Sequence, residues 1–258
     1  MLRDPGRALI ALDFDGTLSP IVADPAAARA HPGADGVLRR LVPLTGTLAV
    51  ITGRPVLAAV EYGRFDQVPG LIVLGLYGRE RWQAGIVTRP APSPGVAAAR
   101  RDLPGVLAAG APDGTWTEDK GDALAVHTRR AARPAEALEH LRRPLASLAE
   151  RTGLVLEPGR FVIELRPPGS DKGSALTDLA TERRPGAILF CGDDLGDVPA
   201  FRAVRSLRAA GIPGLAVCSG SAEVTALAGD ADLMVDGPDG VVALLGSLAE
   251  AFASPRHG

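Results

Sequence analysis

Cysteine is scarce in this chain of 258 residues, and neither charge sign is in large excess. Cys191 and Cys218 are the two cysteines, and each lies inside or next to an apolar run. Reduced thiols packed as small hydrophobic side chains are therefore expected, rather than a disulfide or a cysteine metal site. The formal net charge of −2 gives no basic surface for nucleic acid or an acidic membrane, so neither partner is expected.

Long apolar stretches are also missing, and no run approaches the length that is needed to span a bilayer. The polar residues 1–7 lead directly into a short strand-like run, which is not the pattern of a signal peptide. Hydrophobic residues make up 46% and charged residues 22% of the chain, which is ordinary for a soluble globular protein. These features together predict a cytoplasmic protein with ample apolar material for a buried core.

Strand-like and helix-like segments alternate along most of the chain. Short apolar runs bounded by turn residues occur at Ala8–Leu12, Thr47–Ile51, Leu71–Leu76, Ala187–Cys191, Leu215–Cys218 and Leu233–Val235. Helix-compatible stretches follow at Pro55–Tyr62, Lys172–Thr181, Pro199–Ala210, Glu223–Ala228 and Gly240–Ala253. Such alternation predicts crossover units, and hence an α/β fold whose parallel sheet is covered by helices on both faces.

The middle of the chain has a different order of elements, in which a helix followed by two strands occurs twice. The predicted helices are Val96–Ala109 and Pro134–Arg151, and the predicted strands are Trp116–Asp119, Leu124–Thr128, Leu154–Glu157 and Phe161–Leu165. This order favours an antiparallel sheet with two helices on one face, the last two strands being joined by a turn at 157–160. We therefore predict a core of residues 1–92 and 169–258, with an inserted α+β domain at 93–168, hereafter the insertion.

Two carboxylates follow the first predicted strand, in Asp13-Phe14-Asp15-Gly16-Thr17. Asp13 and Asp15 share one side of the chain because successive strand side chains alternate. One carboxylate can attack phosphorus to form an aspartyl-phosphate, while the other donates a proton to the leaving alkoxide and later takes one from water. Paired negative charge beside a phosphate requires a cation, so Mg²⁺ is implied. The alternative is an ordinary aspartate turn at a strand end.

Three further elements occur in the order that this chemistry requires. Thr52 follows the second strand and can bind a phosphoryl oxygen, and Lys172 begins a helix, where its ammonium can neutralise developing charge. Asp193, Asp194 and Asp197 follow a later strand, and carboxylates crowded at one strand end repel each other unless a hard cation holds them. Taken singly, each element also fits a turn, an exposed lysine or a solvated loop.

As a set, these segments resemble the four motifs of the haloacid dehalogenase superfamily: Asp13-Phe14-Asp15-Gly16-Thr17-Leu18, Ile51-Thr52-Gly53-Arg54, Lys172, and Gly192-Asp193-Asp194-Leu195-Gly196-Asp197. The resemblance implies a Rossmann-like core with a parallel sheet and an inserted cap domain. It also implies that Asp13 is the nucleophile, that Asp15 is the acid/base, and that Thr52 and Lys172 contact the phosphate. The implied Mg²⁺ ligands are Asp13, the backbone carbonyl of Asp15, and Asp193, and we add Asp194. Thr17 and Arg54 are expected to bind substrate.

The insertion carries polar residues in alternation. His127 with Arg129, and Glu164 with Arg166, are separated by two positions and therefore share a face of a strand. A solvated outer face would give this alternation, and so would a face that binds a sugar, because carboxylates and basic side chains supply the acceptors and donors that hydroxyls require. The pattern alone leaves both interpretations open.

A second resemblance, to the trehalose-6-phosphate phosphatases, covers nearly the whole chain. It rests on Leu12–Ile21, Gly75–Glu80, Glu118–Gly121, Val126–Arg129 and Glu164–Pro167, followed by Lys172-Gly173. The resemblance implies Mg²⁺-dependent hydrolysis of trehalose 6-phosphate in trehalose biosynthesis. It implies that Glu118, Lys120 and Glu164 hold the distal glucose hydroxyls and that Arg129 reaches toward the phosphate-bearing end. Tyr77 fits a position where the family has His or Tyr, while Arg79 and His127 have no assigned role.

Other functions remain open at this point. A related phosphatase acting on sucrose phosphate or a glycosyl phosphoglycerate would have the same core. A catalytically silent binding module would keep the fold but lose the nucleophile, and a phosphomutase would need a phosphorylated activator. In each catalytic case the expected partner is a small sugar phosphate.

Overall fold

A computed structural model describes residues 4–89, 93–169, 171–220 and 229–254 of the chain. The strands are β1 (Ala8–Leu12), β2 (Thr47–Ile51), β3 (Ile72–Gly75), β4 (Glu80–Gln83), β5 (Ile86–Thr88), β6 (Trp116–Asp119), β7 (Leu124–His127), β8 (Val155–Gly159), β9 (Val162–Arg166), β10 (Ala187–Gly192), β11 (Gly214–Gly220) and β12 (Leu233–Asp236). The α-helices are α1 (Ala34–Leu41), α2 (Val56–Gly63), α3 (Pro94–Ala108), α4 (Pro134–Thr152), α5 (Lys172–Arg183), α6 (Val198–Ala209) and α7 (Gly237–Ala253).

The chain folds into two compact units. One comprises Met1–Arg89 with Asp171–Gly258, and the other comprises Pro90–Ser170. The helix predicted at Glu223–Ala228 lies outside the described residues. In the described ranges, no helix combines the length and apolar composition that a membrane crossing requires.

The first unit is built on a mostly parallel sheet in the order β12-β11-β10-β1-β2-β3-β4-β5. The strands from β12 to β3 are parallel, which confirms the predicted α/β class. The last two strands on this side of the sheet, β4 and β5, pair in antiparallel fashion and were not predicted. They are short, and buried and half-buried residues alternate in β4. Their one sequence signal was Ala84-Gly85, a two-residue hairpin turn in which both residues have positive φ.

Helices cover both faces of this sheet. On one face α1, α2 and α7 pack against the strands around Leu12, Leu38 and Leu245, and on the other α5 and α6 pack around Phe190 and Phe201. All five residues of β1 are buried, as a central strand with two covered faces requires. Helix α1 was also not predicted, although its buried positions 34, 37, 38 and 41 have helical spacing.

The direction of strand addition reverses between β1 and β10. From β1 the chain adds β2 and β3 on one side, and from β10 it adds β11 and β12 on the other. Open α/β sheets bind ligands at the carboxyl ends of strands flanking such a reversal. Asp13 and Asp193 follow β1 and β10 directly, so the topology places both at this point.

The second unit contains an antiparallel sheet in the order β6-β7-β9-β8. Apolar residues of β7 and β9 pack on α3 and α4, as expected for two helices on one face. The predicted turn at 157–160 was two residues early, because β8 runs through Pro158 to Gly159 and the turn falls at Arg160-Phe161. Proline is tolerated in β8 because β8 is an edge strand.

Candidate active site

Asp13 lies at the end of β1 with its side chain buried. Its backbone N–H donates to the carbonyl of Cys191 on the neighbouring strand at 2.8 Å, which extends the β1–β10 pairing by one residue. The following turn is tight, because the N–H of Gly16 donates to the Ser19 carbonyl at 2.7 Å while Gly16 has φ of 75°. Phe14 anchors the turn by packing edge-on against Phe65. The turn after β1 is therefore fixed by a backbone hydrogen bond at Asp13 and by another at Gly16.

Gly16 also makes room for an acidic side chain. A Cβ atom at Gly16 would lie 1.9 Å from Oδ2 of Asp193, so only glycine leaves space for that carboxylate. Ser219, at the end of β11, donates from its hydroxyl to the Gly16 carbonyl at 2.7 Å in a buried hydrogen bond. Ser219 was not among the residues predicted from sequence. Its signal was a hydroxyl residue one position after a predicted strand, at the edge where the aspartates lie.

We expect Ser219→Ala to lower kcat a few-fold and the free energy of unfolding by about 1–3 kcal/mol, because the Gly16 carbonyl would lose a buried donor. Urea unfolding and phosphate release measured on the same samples would check both effects. Ser247→Ala is the matched control, since the Ser247 hydroxyl bonds a carbonyl on an exposed helical surface. A Ser219 variant as stable and as active as the Ser247 variant would contradict this role.

Three buried carboxylates meet at this edge of the sheet. One oxygen each from Asp13, Asp193 and Asp197 lies within 4.8 Å of the others. The ammonium of Lys172 bridges two of them, at 2.7 Å from Asp13 Oδ1 and 2.8 Å from Asp197 Oδ1. Residues from three distant parts of the sequence thus form one charged cluster.

Asp197 supports the cluster from behind. Its Oδ2 accepts the backbone N–H groups of Asp193 at 2.9 Å and Asp194 at 3.2 Å, while its Oδ1 is bound by Lys172. Asp194 itself is exposed, and its side chain accepts the N–H of Gly196 at 2.9 Å. Asp194 therefore lies outside the three-carboxylate cluster, and its role as a metal ligand stays a prediction.

The electrostatics of the cluster favour a bound cation. Burial raises the pKa of Asp13 well above its usual range, with Lys172 opposing the shift and Asp197 adding to it. Burial, and then Asp194 and Asp197, raise the pKa of Asp193 to about 8. Burial by itself would lower the pKa of Lys172, but Asp13 and Asp197 raise it well above its usual range. One ammonium cannot balance three carboxylates, and oxygen ligands in this number suit a hard divalent ion.

Asp15 has a different partner from Asp13. Arg54 binds it through two hydrogen bonds, from Nε to Oδ2 at 2.7 Å and from Nη2 to Oδ1 at 2.6 Å. Nη1 of Arg54 donates to the Pro25 carbonyl, and the guanidinium lies over the ring of Tyr62 at 5.3 Å. Burial alone would lower the pKa of Arg54, but the Asp15 carboxylate raises it. The predicted contact of Arg54 with substrate stays a prediction.

Thr17 and Thr52, both predicted to contact the phosphate or substrate, are buried. The Oγ1 of Thr52 accepts the backbone N–H of Arg54 at 3.2 Å, and its own proton can still be donated. The Oγ1 of Thr17 is fully buried and has no hydrogen-bond partner within the described part of the chain. A buried hydroxyl without a partner is unfavourable, and a phosphoryl oxygen would satisfy it.

Lys172 owes its position to the start of α5. Asp171 caps this helix by accepting the N–H of Ser174 at 2.7 Å, and Ser174 completes a capping box. Ser170, the other predicted cap, lies outside the described residues. Gly173 allows close packing, because a Cβ there would lie 2.4 Å from the Pro199 carbonyl oxygen of α6. The helix start is thereby held tightly against α6.

The insertion presents a polar face opposite its helices. Strand register places Glu118, Ala125, Glu164 and Glu157 in one row across the four strands. The Lys120 ammonium donates to Oε2 of Glu164, while Oε1 of Glu164 is buried without a hydrogen-bond partner among the described residues. The structure therefore places the three predicted ligands of the glucose hydroxyls, Glu118, Lys120 and Glu164, in the same part of the insertion.

His127 and Arg129, which were predicted to share a face of one strand, have different surroundings. His127 binds Glu118 through Nε2 at 3.0 Å and stacks on Trp116 with ring centroids 3.8 Å apart. Trp116 was not singled out from sequence, although it shares a face with Glu118 by strand alternation. Arg129 does not continue the alternation of β7, which ends at His127, and it is exposed in the following turn.

A family profile and a curated relative both match this chain and share one family description. The sequence profile described as Trehalose-phosphatase matches residues 11–233. A trehalose-phosphate phosphatase of Mycobacterium avium is 34% identical over 218 residues, which are 78% of this chain and 52% of that protein. An uncharacterized glycosyl hydrolase of Mycobacterium tuberculosis is 35% identical over 214 residues, which are 77% of this chain and 15% of that protein.

The fold has a solved counterpart as well. The C-terminal domain of the Candida albicans trehalose-6-phosphate phosphatase matches with a TM-score of 0.77 at 22% identity, covering 95% of this chain and 92% of that one. This likeness shows the fold, and it confirms the predicted α/β core with an inserted domain. The chain spans about half or less of the two mycobacterial relatives. Because the profile covers both parts of the core and the whole insertion, the chain belongs to the trehalose-phosphatase family.

Proposed function

We propose that this chain is a Mg²⁺-dependent phosphatase that hydrolyses trehalose 6-phosphate to trehalose and inorganic phosphate, as a cytoplasmic step of trehalose biosynthesis. The observation that carries the proposal is the buried Asp13 carboxylate, bridged by Lys172 and lying beside Asp193. A buried carboxylate with a neighbouring ammonium suits a nucleophile that must receive a transferred phosphoryl group. Membership of the trehalose-phosphatase family supports the choice of substrate.

The reaction proceeds in two steps. In the first, an oxygen of Asp13 attacks phosphorus, the bond from phosphorus to the sugar oxygen breaks, and Asp15 gives its proton to that oxygen. In the second, water attacks the phosphorus of the aspartyl-phosphate, Asp15 takes a proton from this water, and the acyl–phosphate P–O bond breaks. Phosphate leaves and the Asp13 carboxylate is restored, so the proton balance closes over the cycle.

The surrounding residues stabilise charge and hold the phosphoryl group. Lys172 neutralises charge on Asp13 and on the transferred group, and the hydroxyls of Thr17 and Thr52 donate to phosphoryl oxygens. Asp13 and Asp193 are the residues that would hold Mg²⁺, whose chemistry is to neutralise the phosphate and the crowded carboxylates. Asp197 keeps Lys172 and the Asp193 backbone in place.

The insertion would supply the contacts with the sugar. Glu118, Lys120 and Glu164 offer acceptors and donors to hydroxyl groups, and the unpartnered Oε1 of Glu164 is an acceptor for one of them. Energy from binding a disaccharide can be used to align its phosphate for attack. A silent binding module is disfavoured because the full set of Asp13, Asp15, Thr52, Lys172 and Asp193 is present.

The test of this proposal is phosphate release from a panel of esters. Trehalose 6-phosphate, sucrose 6-phosphate, glucose 6-phosphate and p-nitrophenyl phosphate would be assayed with Mg²⁺ and, in parallel, with a chelator. We expect the highest kcat/KM for trehalose 6-phosphate and no turnover after chelation. Equal rates across the panel would reject trehalose 6-phosphate as the specific substrate but leave the phosphatase activity supported. A preference for sucrose 6-phosphate would favour a sucrose-phosphate phosphatase.

We expect Glu118→Ala and Glu164→Ala each to lower kcat/KM for trehalose 6-phosphate about tenfold to a hundredfold, because each removes acceptors for sugar hydroxyls. Turnover of p-nitrophenyl phosphate should change less than about twofold, since that ester has no sugar. Glu139→Ala, in an exposed ion pair on α4, is the matched control. Equal losses on both esters would show that these residues do not determine substrate choice.

A further inference from the structure

Three consecutive residues after β3 have left-handed backbone conformations. The φ angles are 47° at Leu76, 58° at Tyr77 and 93° at Gly78. Glycine adopts this conformation freely, but leucine and tyrosine do so at an energetic cost. Strain of this kind persists only where surrounding contacts fix it, and it concentrates near functional sites. The contacts of this turn therefore indicate which neighbouring segment the strained backbone positions.

The strained turn is bonded to the turn that carries Thr52. The N–H of Tyr77 donates to the Thr52 carbonyl at 3.0 Å, and the N–H of Leu76 donates to the Arg54 carbonyl at 2.9 Å. The Tyr77 ring occupies the space beside Gly53, where an added Cβ would lie 2.7 Å from the phenol oxygen. Extended backbone at 76 and 77 would not direct both N–H groups to one neighbouring loop. The left-handed pair thus holds residues 52–54 from one side.

Glu80 holds the same loop at its far end. It is 6% exposed, and its Oε2 accepts the backbone N–H of Val56 at 2.7 Å in a buried hydrogen bond. Val56 begins α2, whose own N-cap residue is Pro55 and provides no side-chain acceptor. The other oxygen of Glu80 pairs with Nε of Arg89 at 2.8 Å. A carboxylate on β4 therefore caps a helix that its own sequence leaves uncapped.

We propose that Glu80 is a positioning residue for phosphoryl transfer, which fixes the Thr52 turn through the Val56 N–H so that the threonine hydroxyl meets the phosphate. The inference rests on the proposed function for the role of Thr52. Glu80 acts through the backbone and touches neither substrate nor the reacting atoms. The length of the Glu80 side chain is the property that matters, because its acceptor oxygen must reach from β4 to the start of α2.

Three substitutions separate this role from a general structural one. Glu80→Gln keeps an acceptor oxygen at the right distance but removes the charge. Glu80→Asp keeps the charge but withdraws the acceptor by one methylene, and Glu80→Ala removes both. If the hydrogen bond to Val56 is decisive, the glutamine variant resembles wild type and the aspartate variant resembles alanine. If the charge pair with Arg89 is decisive, this order is reversed.

The readouts are amide hydrogen exchange at Val56 and calorimetric binding of inorganic phosphate, which need no turnover, together with kinetics on p-nitrophenyl phosphate. In Glu80→Asp and Glu80→Ala we expect faster amide exchange at Val56 and about tenfold weaker phosphate binding. In Glu80→Gln we expect both quantities to stay within about threefold of wild type. Arg81→Ala, which removes a surface pair on the same strand, is the control. Unchanged exchange and phosphate binding in Glu80→Asp, or a glutamine variant as impaired as alanine, would overturn the proposal. An inactive wild-type chain would instead reject the proposed function.

Discussion

Replacing Asp13 by asparagine is expected to lower the rate of phosphate release at least about a thousandfold, because the amide cannot attack phosphorus and the aspartyl-phosphate cannot form. Asp13 is 3% exposed, and its Oδ1 lies 2.7 Å from the Lys172 ammonium. The fold should survive, since asparagine has nearly the same volume and the variant removes a charge from a crowded acidic cluster.

The intermediate gives a more direct test than the rate. Wild-type protein incubated briefly with a ³²P-labelled ester and quenched in acid should carry a hydroxylamine-sensitive label on the peptide that contains Asp13. Asp13→Asn should carry none, and Asp24→Asn, an exposed capping aspartate, should be labelled like wild type. Label on any other peptide would contradict the assignment. Freshly prepared protein is required because slow deamidation of the introduced asparagine would restore the nucleophile.

Asp15→Asn provides the complementary result in the same experiment. An aryl ester has a good leaving group and needs little proton donation, so labelling of Asp13 should still occur. Hydrolysis of the intermediate should slow, because water would lack its base, and the label should accumulate above the wild-type level. If the label did not accumulate in Asp15→Asn, Asp15 would not be the base in the hydrolysis of the intermediate.

Much of the core fold could be predicted from sequence because its central strands are short, fully buried apolar runs. β1 and β2 begin and end at the predicted residues. The antiparallel β4 and β5 were missed because both are short and partly exposed, and neither contains a long apolar run. Their existence depends on pairing with β3, which is a tertiary contact and not a local property of residues 80–88.

The cluster of Asp13, Asp193 and Asp197 was predictable because parallel strands bring their carboxyl ends to one edge, wherever they fall in sequence. Side-chain pairing was not predictable in the same way. Nothing local to Asp15 or Arg54 indicates that they bind each other across 39 positions, or that Asp197 receives two backbone N–H groups. The cap of α2 by Glu80 was not predictable either, because it depends on an antiparallel strand that the sequence did not reveal.

Lysine is rare in this chain, and its placement is informative. The chain contains two lysines, Lys120 and Lys172, and takes its other basic side chains from arginine and histidine. A compact ammonium fits between carboxylates where a planar guanidinium is too wide. Each lysine contacts a buried carboxylate, Glu164 in one unit and Asp13 in the other. In this arginine-rich chain, both lysines therefore lie against buried carboxylates.

Lys172→Met is accordingly expected to lower both activity and stability. The free energy of unfolding should fall by about 3–5 kcal/mol near neutral pH, because removing the ammonium leaves buried carboxylates uncompensated. Activity should fall at least about a hundredfold even in the folded fraction, since the charge on the transferred group loses its partner. Lys172→Arg keeps the charge but not the size, so it should recover part of the stability and little of the activity.

The loss of stability should depend on pH in a defined direction. Asp13 and Asp193 have folded-state pKa values above their usual range, so the folded protein binds more protons than the unfolded chain at intermediate pH. Stability from these groups is present at acidic pH and lost as pH rises toward about 8, the value for Asp193. Without Lys172 the carboxylates protonate more readily, so the deficit of the methionine variant should be smaller at acidic than at alkaline pH.

Urea unfolding of wild type and Lys172→Met at pH 5.5 and pH 7.5, with a chelator present to keep metal from the carboxylates, measures this difference. Arg205→Met, which removes an exposed ion pair with Asp230, is the control and should change stability by less than about 1 kcal/mol at either pH. A deficit that was equal at both pH values would mean that the ammonium acts through packing and not through charge. A deficit that grew with pH would show that the stability of the core depends on the electrostatic contact between Lys172 and Asp13.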